Sequence, residues 1–222
     1  MSAWVFVANP VQAIAAFIAS WRALVLPVDA PAAVTDESLM MAYRDGDAAA
    51  FDALYGRHRL AIFRYMRRQI KDDGLAEELF QDVWMRVIGH RQNYEPRAKF
   101  TTWLYTIAHN RLMDHFRSAG RAEHVDIDDT DDDGETPVIQ LVADPTNAPE
   151  TMLTRRQLAD RILIAFEKLP AEQREAFVLQ YEGELSVEEI ATVTGVTRET
   201  AKSRLRYALA KLRRDLQDGG GA

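Results

Sequence analysis

The stretch at 185–216 constrains the fold more than any other part of this 222-residue sequence. Ser186, followed three residues later by Glu189, forms a capping box, which predicts the start of a helix. Gly195 is expected to end that helix, and Thr197 to cap a second one whose apolar residues recur at steps of three and four. Two short helical patterns joined by a tight turn predict a helix-turn-helix.

The second helix of this motif has a strongly basic outer face. Seven of its residues are basic, with Glu199 as the one acid before Asp215: Arg198, Lys202, Arg204, Arg206, Lys211, Arg213 and Arg214. Such a face suits the phosphates that line the major groove of DNA. A basic helix is often only a solvated surface. Here the positive charge is confined to the second helix, which favours DNA binding.

The net charge of −7 at pH 7 looks unfavourable for a protein that binds DNA. Ten acidic residues, however, lie at 122–150, a stretch without Lys or Arg, so the rest of the chain has more basic than acidic residues. DNA responds to local charge rather than to the total. The chain has no cysteine, which excludes a disulfide framework and thiol chemistry and fits a reducing cytoplasm.

The acidic stretch at 122–150 has three prolines and no helical period, which predicts a flexible linker between two domains. Residues 129–134 copy the opening of a calcium-binding EF-hand loop. The copy fails at its twelfth position, where Gln140 replaces the required bidentate Glu, and Pro137 interrupts it. We therefore expect no metal site here.

Amphipathic patterns before the linker predict a helical domain. Asp47 is expected to cap a long helix at 48–70, and two further helices are predicted at 75–88 and 99–121. No segment shows the alternation of a half-buried strand. The sequence thus predicts an all-α fold of two helical domains joined by the acidic linker.

Several motifs occur together in a characteristic order: DAAAFDALYGRH, AEELFQDVWMRV, FTTWLYTIAHNRLMDHFR, the linker, and LPAEQREAFVLQYEGELSVEEIATVTGVTRETAKSRLRYALAKLR. Together they resemble a sigma-70-family factor of the extracytoplasmic-function (ECF) group. The resemblance implies region 2 at 36–121, a linker at 122–150 and region 4 at 151–218, with residues 1–35 as an unmatched N-terminal extension. It implies a factor that binds core RNA polymerase and promoter DNA, helps open the promoter, and is controlled by an anti-sigma factor.

The resemblance also implies three sets of functional residues. Contacts to the beta-prime clamp helices of core polymerase are expected from Glu78, Gln81, Asp82 and Arg86, and region 4 is expected to contact the beta flap. Recognition of the minus-10 element is expected from Tyr94, Arg97, Lys99, His109, Asn110, Asp114 and Arg117. Recognition of the minus-35 element is expected from Thr197, Arg198, Lys202, Ser203, Arg204 and Arg206.

Two other classes of protein remain as alternatives. One is a helix-turn-helix regulator that binds DNA without core polymerase, and the more distant one is an enzyme with a metal held by the carboxylates at 126–133. No P-loop, HExxH motif, nucleophile elbow or Gly-rich cofactor loop occurs, so we expect no catalytic residue and no cofactor. The apolar start of the chain lacks a basic residue before it and is interrupted by Asn9 and Pro10. We therefore expect no signal peptide or membrane insertion, and a cytoplasmic location.

Overall fold

The structure is a computed structural model that describes residues 34–120 and 161–218. All regular elements in these two ranges are helical, which confirms the predicted all-α class. The predicted linker at 122–150 lies outside the described residues, and so do the resemblance to a calcium loop at 129–134 and the carboxylates at 126–133. Of the N-terminal extension, only residues 34 and 35 are described.

Each half of the described chain is built from a short series of helices. Before the linker these are α1 (Asp36–Arg44), α2 (Ala48–Gln69), α3 (Asp73–His90), a 3-10 turn (Arg91–Asn93) and α4 (Phe100–Ser118). After it, residues 161–167 are helical. They are followed by α5 (Ala171–Tyr181), α6 (Val187–Thr194) and α7 (Arg198–Asp218). The pair α6 and α7 is the predicted helix-turn-helix.

The helix ends follow from the capping residues that the sequence predicted. The Asp47 carboxylate accepts a backbone N–H of the first turn of α2 at 2.9 Å. Ser186 and Glu189 make both hydrogen bonds of the capping box at the start of α6, at 3.2 and 2.8 Å. Gly195 ends α6 with a left-handed φ of 69°, a conformation that glycine adopts without strain. The Thr197 hydroxyl oxygen accepts a backbone N–H of α7 at 3.1 Å.

The chain divides into two compact units. Of the described residues, the larger unit contains 34–120 and 178–203, and the smaller unit contains 161–177 and 204–218. Helix α6 and the first residues of α7 therefore belong with the helices that precede the linker.

In the larger unit, α1 to α4 enclose a core of aliphatic and aromatic side chains. The apolar residues at steps of four along α3 form a stripe on one face, and Leu79, Val83 and Val87 of this stripe are fully inaccessible to solvent. Spacings of three and four residues place such side chains on one helical face. The Trp84 ring lies beside this stripe and meets the Tyr55 ring edge to face, with centroids 4.9 Å apart.

The larger unit also includes the packing of α6 against α4. Gly183, in the turn before α6, lies so close to Tyr105 of α4 that an added Cβ would be 3.1 Å from the Tyr105 ring. The same Cβ would be 2.7 Å from the carbonyl oxygen of Leu179. Glu184 follows with a φ of 57°, in the left-handed region. The close approach of this turn to α4 therefore requires glycine at position 183.

The described part of the smaller unit has its own polar and aromatic contacts. The Arg161 guanidinium donates a hydrogen bond to the carbonyl oxygen of Leu216 at 2.5 Å. The rings of Phe166 and Phe177 pack with centroids 5.9 Å apart. These contacts join the helical segment 161–167 to α5 and to the end of α7.

The burial pattern of α3 can be tested with a pair of substitutions on that helix. Leu79→Ala is expected to lower the free energy of unfolding by about 2–5 kcal/mol, because it leaves a cavity in the core. Met85→Ala is the matched control, since the Met85 side chain is 65% exposed. It should change stability by no more than about 0.5 kcal/mol. Urea unfolding followed by circular dichroism measures both; equal losses would contradict the assigned core face.

Candidate nucleic-acid and polymerase interfaces

The side of α3 that faces away from the core carries the four residues predicted to contact polymerase. The Glu78 side chain is 68% exposed, and those of Asp82 and Arg86 are about half exposed. Gln81 is exposed as well. Met85 lies on the same side of the helix and is a large apolar side chain left in solvent. Met85 was not predicted from the sequence, although an apolar residue outside the buried stripe is a usable signal of a contact surface.

Ion pairs connect this surface of α3 to α4. The Arg111 guanidinium contacts the Asp82 carboxylate at 2.7 Å and is itself only 16% exposed. The Arg86 guanidinium donates to Asp114 at 3.1 Å, and Arg117 reaches the other Asp114 oxygen at 3.1 Å. The hydrogen bond from Arg86 holds the pKa of Asp114 below its usual range. Residues predicted for polymerase and residues predicted for the minus-10 element are thus bonded to each other.

The loop at 95–99 is fixed by buried aromatic residues on either side. Tyr94 and Phe100 are inaccessible to solvent, and the Tyr94 ring packs edge to face on Trp103 at a centroid distance of 5.0 Å. Burial, with the nearby carboxylates of Glu37 and Asp36, raises the pKa of Tyr94 to about 12. The Phe100 N–H donates to the Glu37 carboxylate at 2.7 Å, which satisfies the first turn of α4 from a distant helix.

The residues predicted for the minus-10 element separate into exposed and buried groups. Tyr94 and His109 belong to the core, where they position the helix and loop rather than present a surface. The exposed members include Arg97 and Arg117, whose side chains are 85% and 74% accessible. Asn110 is also exposed. Because exposure depends on the packing of α4, the sequence pattern alone did not distinguish the two groups.

Lys99, one of the residues predicted for the minus-10 element, is bonded to the helix-turn-helix within the larger unit. Its ammonium group lies 3.1 Å from one oxygen of the Glu189 carboxylate, and the Thr102 hydroxyl donates to the same oxygen at 3.2 Å. The other oxygen accepts the Ser186 N–H of the capping box. Glu189 was predicted to cap α6, but its contacts to α4 were not predicted.

A second carboxylate, in the turn that precedes α6, lies close to basic residues of α2. Glu182 lies 3.5 Å from the guanidinium groups of Arg64 and Arg68. Burial raises the pKa of Glu182, and the two arginines counteract that shift only in part. These two arginines were not among the functional residues predicted from the sequence. The basic run at the end of α2 was the available signal.

The start of α7 presents the first residues predicted for the minus-35 element. Thr197 is used as the helix cap, and Lys202 is exposed to solvent. Ser203 is partly exposed. Arg198 is 56% exposed and its guanidinium contacts the carboxylate of Glu188 on α6 at 2.5 Å. This ion pair joins the two helices of the helix-turn-helix and leaves part of the Arg198 guanidinium group accessible to solvent.

Arg204 and Arg206 belong to the part of α7 in the smaller unit. The Arg204 side chain is only 15% exposed and pairs with Glu172 at 3.2 Å. Arg206 lies over the Tyr207 ring, 5.0 Å from its centroid. Arg204 therefore contributes to packing within its unit, a role that the charge pattern did not predict.

Within residues 34–120 and 161–218, no three His, Asp or Glu side chains are placed so that they could hold a metal ion. In the same part of the chain, no helix has the length and hydropathy needed to cross a membrane.

Comparison with known proteins identifies the class of this protein. Residues 54–122 match the family model for sigma-70 region 2, and residues 159–212 match the model for sigma-70 region 4. The chain is 34% identical over 174 residues to RNA polymerase sigma factor CarQ of Myxococcus xanthus, covering 78% of this chain and 93% of CarQ. It is 36% identical over 177 residues to ECF RNA polymerase sigma factor SigL of Mycobacterium tuberculosis, with the same coverage of both chains.

The fold also resembles that of a sigma-factor chain in a solved structure. The sigma factor RpoE, in its co-crystal structure with the anti-sigma factor NepR from Bartonella quintana, superposes with a TM-score of 0.54 at 23% identity. The match covers 75% of this chain and 96% of that chain. This chain belongs to the sigma-70 family, and within it to the ECF RNA polymerase sigma factors.

The ion pair between Asp82 and Arg111 can be tested by charge reversal. Asp82→Arg brings two guanidinium groups together and is expected to lower the free energy of unfolding by on the order of 1 kcal/mol. The double variant Asp82→Arg/Arg111→Asp should recover part of that loss, because the opposite charges are restored in exchanged positions. Urea unfolding of the parent, both single variants and the double variant measures the coupling; additive effects would show that the pair contributes nothing.

Proposed function

We propose that this protein is a promoter-specificity subunit of RNA polymerase that acts in the cytoplasm and has no catalytic activity of its own. The observation that carries the proposal is the presence of both sigma-70 regions, in order, on one helical chain. Each region has an exposed surface suited to its proposed partner. In region 2 these are the polar face of α3, for polymerase, and the basic residues around α4, for the minus-10 element. In region 4 it is the basic start of α7, for the minus-35 element. The chain also aligns with 93% of the length of its sigma-factor relatives.

The polymerase contact is assigned to α3. Glu78, Gln81, Asp82 and Arg86 present a polar surface around the exposed Met85, a combination suited to a protein partner. We assign this surface to the beta-prime clamp helices of core polymerase and region 4 to the beta flap. Because Asp82 and Arg86 also pair with α4, Gln81 is the residue best suited to test the contact.

Contact with the minus-10 element is assigned to the exposed residues of the 95–99 loop and α4. Arg97, Lys99 and Arg117 supply positive charge, and Asn110 supplies an amide that can both donate and accept hydrogen bonds. Single-stranded DNA is bound by such basic grooves, and a base leaves the duplex more readily where the protein offers it new contacts. Tyr94 and His109 hold this surface from the core, and Asp114 orients Arg86 and Arg117.

Contact with the minus-35 element is assigned to α7. Arg198, Lys202, Ser203 and Arg206 are the proposed contacts to bases or phosphates, with Thr197 fixing the start of the helix. The N-terminal residues of a recognition helix are the ones that reach base edges in the major groove. Arg204 is proposed as a phosphate contact that also holds Glu172.

An anti-sigma factor is the proposed regulator. The support is the fold shared with RpoE, which was solved in complex with the anti-sigma factor NepR. Copurification of the tagged full chain from its own cells would test this proposal, with core polymerase subunits and a regulatory protein as the expected partners.

The polymerase contact is tested by Gln81→Arg, which places a bulky charge on the proposed interface without disturbing an ion pair. Binding to core RNA polymerase should weaken roughly tenfold, as for an interface substitution worth about 1–2 kcal/mol. Asp52→Asn on the exposed side of α2 is the control, because it changes the net charge by the same amount. Fluorescence anisotropy of the labelled chain measures affinity for core polymerase. Unchanged affinity of Gln81→Arg would remove α3 from the proposed interface.

Recognition of the minus-35 element is tested by Lys202→Ala. The affinity of the polymerase holoenzyme for a promoter that depends on this element should fall by on the order of 1–3 kcal/mol. The loss is measured as reduced transcription from that promoter. Arg214→Ala is the matched control, because Arg214 is a 67% exposed basic residue further along the same helix. If Lys202→Ala and Arg214→Ala reduce transcription equally, the effect comes from the loss of one positive charge and not from a contact made by the start of α7. If the parent chain with core polymerase gives no promoter-specific transcript, the proposed function itself fails.

A further inference from the structure

Helix α1 contacts both ends of the segment that contains the 95–99 loop. Before the loop, the side-chain amide of Gln92 donates a hydrogen bond to the carbonyl oxygen of Arg44, the last residue of α1, at 3.1 Å. After the loop, the Phe100 N–H donates to the carboxylate of Glu37, in the first turn of α1, at 2.7 Å. A helix of nine residues is about 13 Å long. One short helix therefore bonds to the chain on either side of the loop.

The start of α4 depends on α1 for its cap. The first N–H groups of a helix have no partner within the helix. Asp47 caps α2 and Ser186 caps α6 from the preceding position, but the Lys99 side chain makes no such hydrogen bond to α4. The partly buried Glu37 carboxylate replaces that local cap and also places negative charge at a helix N-terminus, where the backbone dipole favours it. The start of α4 is therefore fixed only while α1 stays in place.

Helix α1 is itself held by contacts that do not involve the loop. The Asp36 carboxylate accepts a hydrogen bond from the Arg57 guanidinium at 2.5 Å, and its other oxygen lies 2.7 Å from the His58 ring nitrogen. Burial alone would raise the pKa of Asp36, but the hydrogen bonds from His58 and Arg57 hold it below its usual range. Met40, on the opposite side of α1, is fully buried. These contacts to α2 and to the core give the neighbouring Glu37 a fixed position.

We infer that Glu37 is a positioning residue for recognition of the minus-10 element. By capping α4 from α1, it fixes the direction in which the 95–99 loop presents Arg97 and Lys99. The inference rests on the proposed function, since that function assigns the loop to promoter DNA. Glu37 does not itself contact DNA in this account and acts through the backbone at the start of α4. It also lies before residues 54–122, the range that matches the family model for region 2.

The inference is tested with Glu37→Ala and Glu37→Gln in the full chain bound to core polymerase. Alanine removes the acceptor of the Phe100 N–H, whereas glutamine retains an amide oxygen that can accept it. Opening of the promoter should slow about tenfold in Glu37→Ala, the rate equivalent of losing a hydrogen bond to a charged group. Glu37→Gln should stay within about threefold of the parent, because a neutral hydrogen bond replaces the charged one. Both variants lose the same charge, so their difference reports the hydrogen bond.

The rate of opening is measured as permanganate reactivity of minus-10 thymines against time, on a promoter that the parent holoenzyme opens. Asp52→Ala is the control, because it removes an exposed carboxylate from α2 and should open the promoter at the parent rate. Binding to core polymerase, followed by fluorescence anisotropy, should be equal for all four chains. The inference is overturned if Glu37→Ala opens the promoter at the parent rate, if Glu37→Gln is as slow as Glu37→Ala, or if affinity for core polymerase falls as much as the rate.

Hydrogen exchange of the free chain provides a measurement that needs neither polymerase nor promoter. Amides at 95–103 should exchange faster in Glu37→Ala than in the parent, because the start of α4 loses its cap. Glu37→Gln should restore the protection of this segment. Peptides from α3 should exchange at the parent rate in both variants, which shows that the domain is folded. Unchanged exchange at 95–103 in Glu37→Ala, or an equal increase throughout α3, would contradict the role assigned to Glu37.

Failure of this inference is distinguishable from failure of the proposed function. Promoter-specific transcription by the parent chain with core polymerase tests the function and does not involve a substitution at Glu37. If the parent transcribes and Glu37→Ala opens the promoter at the same rate, the positioning role is wrong and the function stands. If the parent gives no promoter-specific transcript, the 95–99 loop loses its assignment to promoter DNA, and the positioning role is overturned with it.

Discussion

The burial of Tyr94 and Phe100 on either side of the 95–99 loop is the constraint on which the candidate DNA surface depends. A loop between two exposed ends would sample many conformations and lose that freedom on binding. Here both ends are fixed in the aromatic core, and the Phe100 N–H is bonded to Glu37 of α1. The basic side chains of Arg97 and Lys99 are thereby presented from a short loop of set direction. Preorganisation of this kind lowers the entropic cost of binding.

Ion pairs across α3 and α4 have a related effect on the polymerase surface. Arg111 is nearly buried and holds Asp82, while Asp114 holds Arg86 and Arg117. Residues in one such network do not contribute independently to stability or binding. The proposed polymerase face and the proposed minus-10 face are therefore parts of one charged network rather than separate patches, and only charge-exchange variants can separate their contributions.

The sequence was sufficient to predict what depends on neighbours along the chain. The Asp47 cap, the Ser186 and Glu189 capping box and the turn at Gly195 are local features, and the structure confirms all of them. The apolar stripe of α3 followed from helical periodicity alone. In the same way, the order of motifs was enough to predict the family.

What the sequence did not predict depends on which helices meet. Tyr94 and His109 are an aromatic and a polar residue in a basic segment, and only the packed structure shows that both are buried. Arg204 has the same charge as its neighbours on α7, yet Glu172 of α5 restricts its exposure. The contacts of Glu189 to α4 join residues about 90 positions apart, a distance over which local pattern carries no information. The assignments of individual residues to polymerase and promoter remain predictions for the same reason.

Gly183 sets how near the turn before α6 can come to α4. A methyl group at this position would collide with the Leu179 carbonyl oxygen and crowd the Tyr105 ring, so the end of α5 or the ring would have to move. Glu189 lies six residues further on, and its 3.1 Å contact with Lys99 tolerates little displacement. The absence of a side chain at position 183 thus allows the turn to pack this closely against α4. A single change of glycine to alanine at this position would therefore alter the packing of α6 on α4 without replacing any residue assigned to DNA or to polymerase.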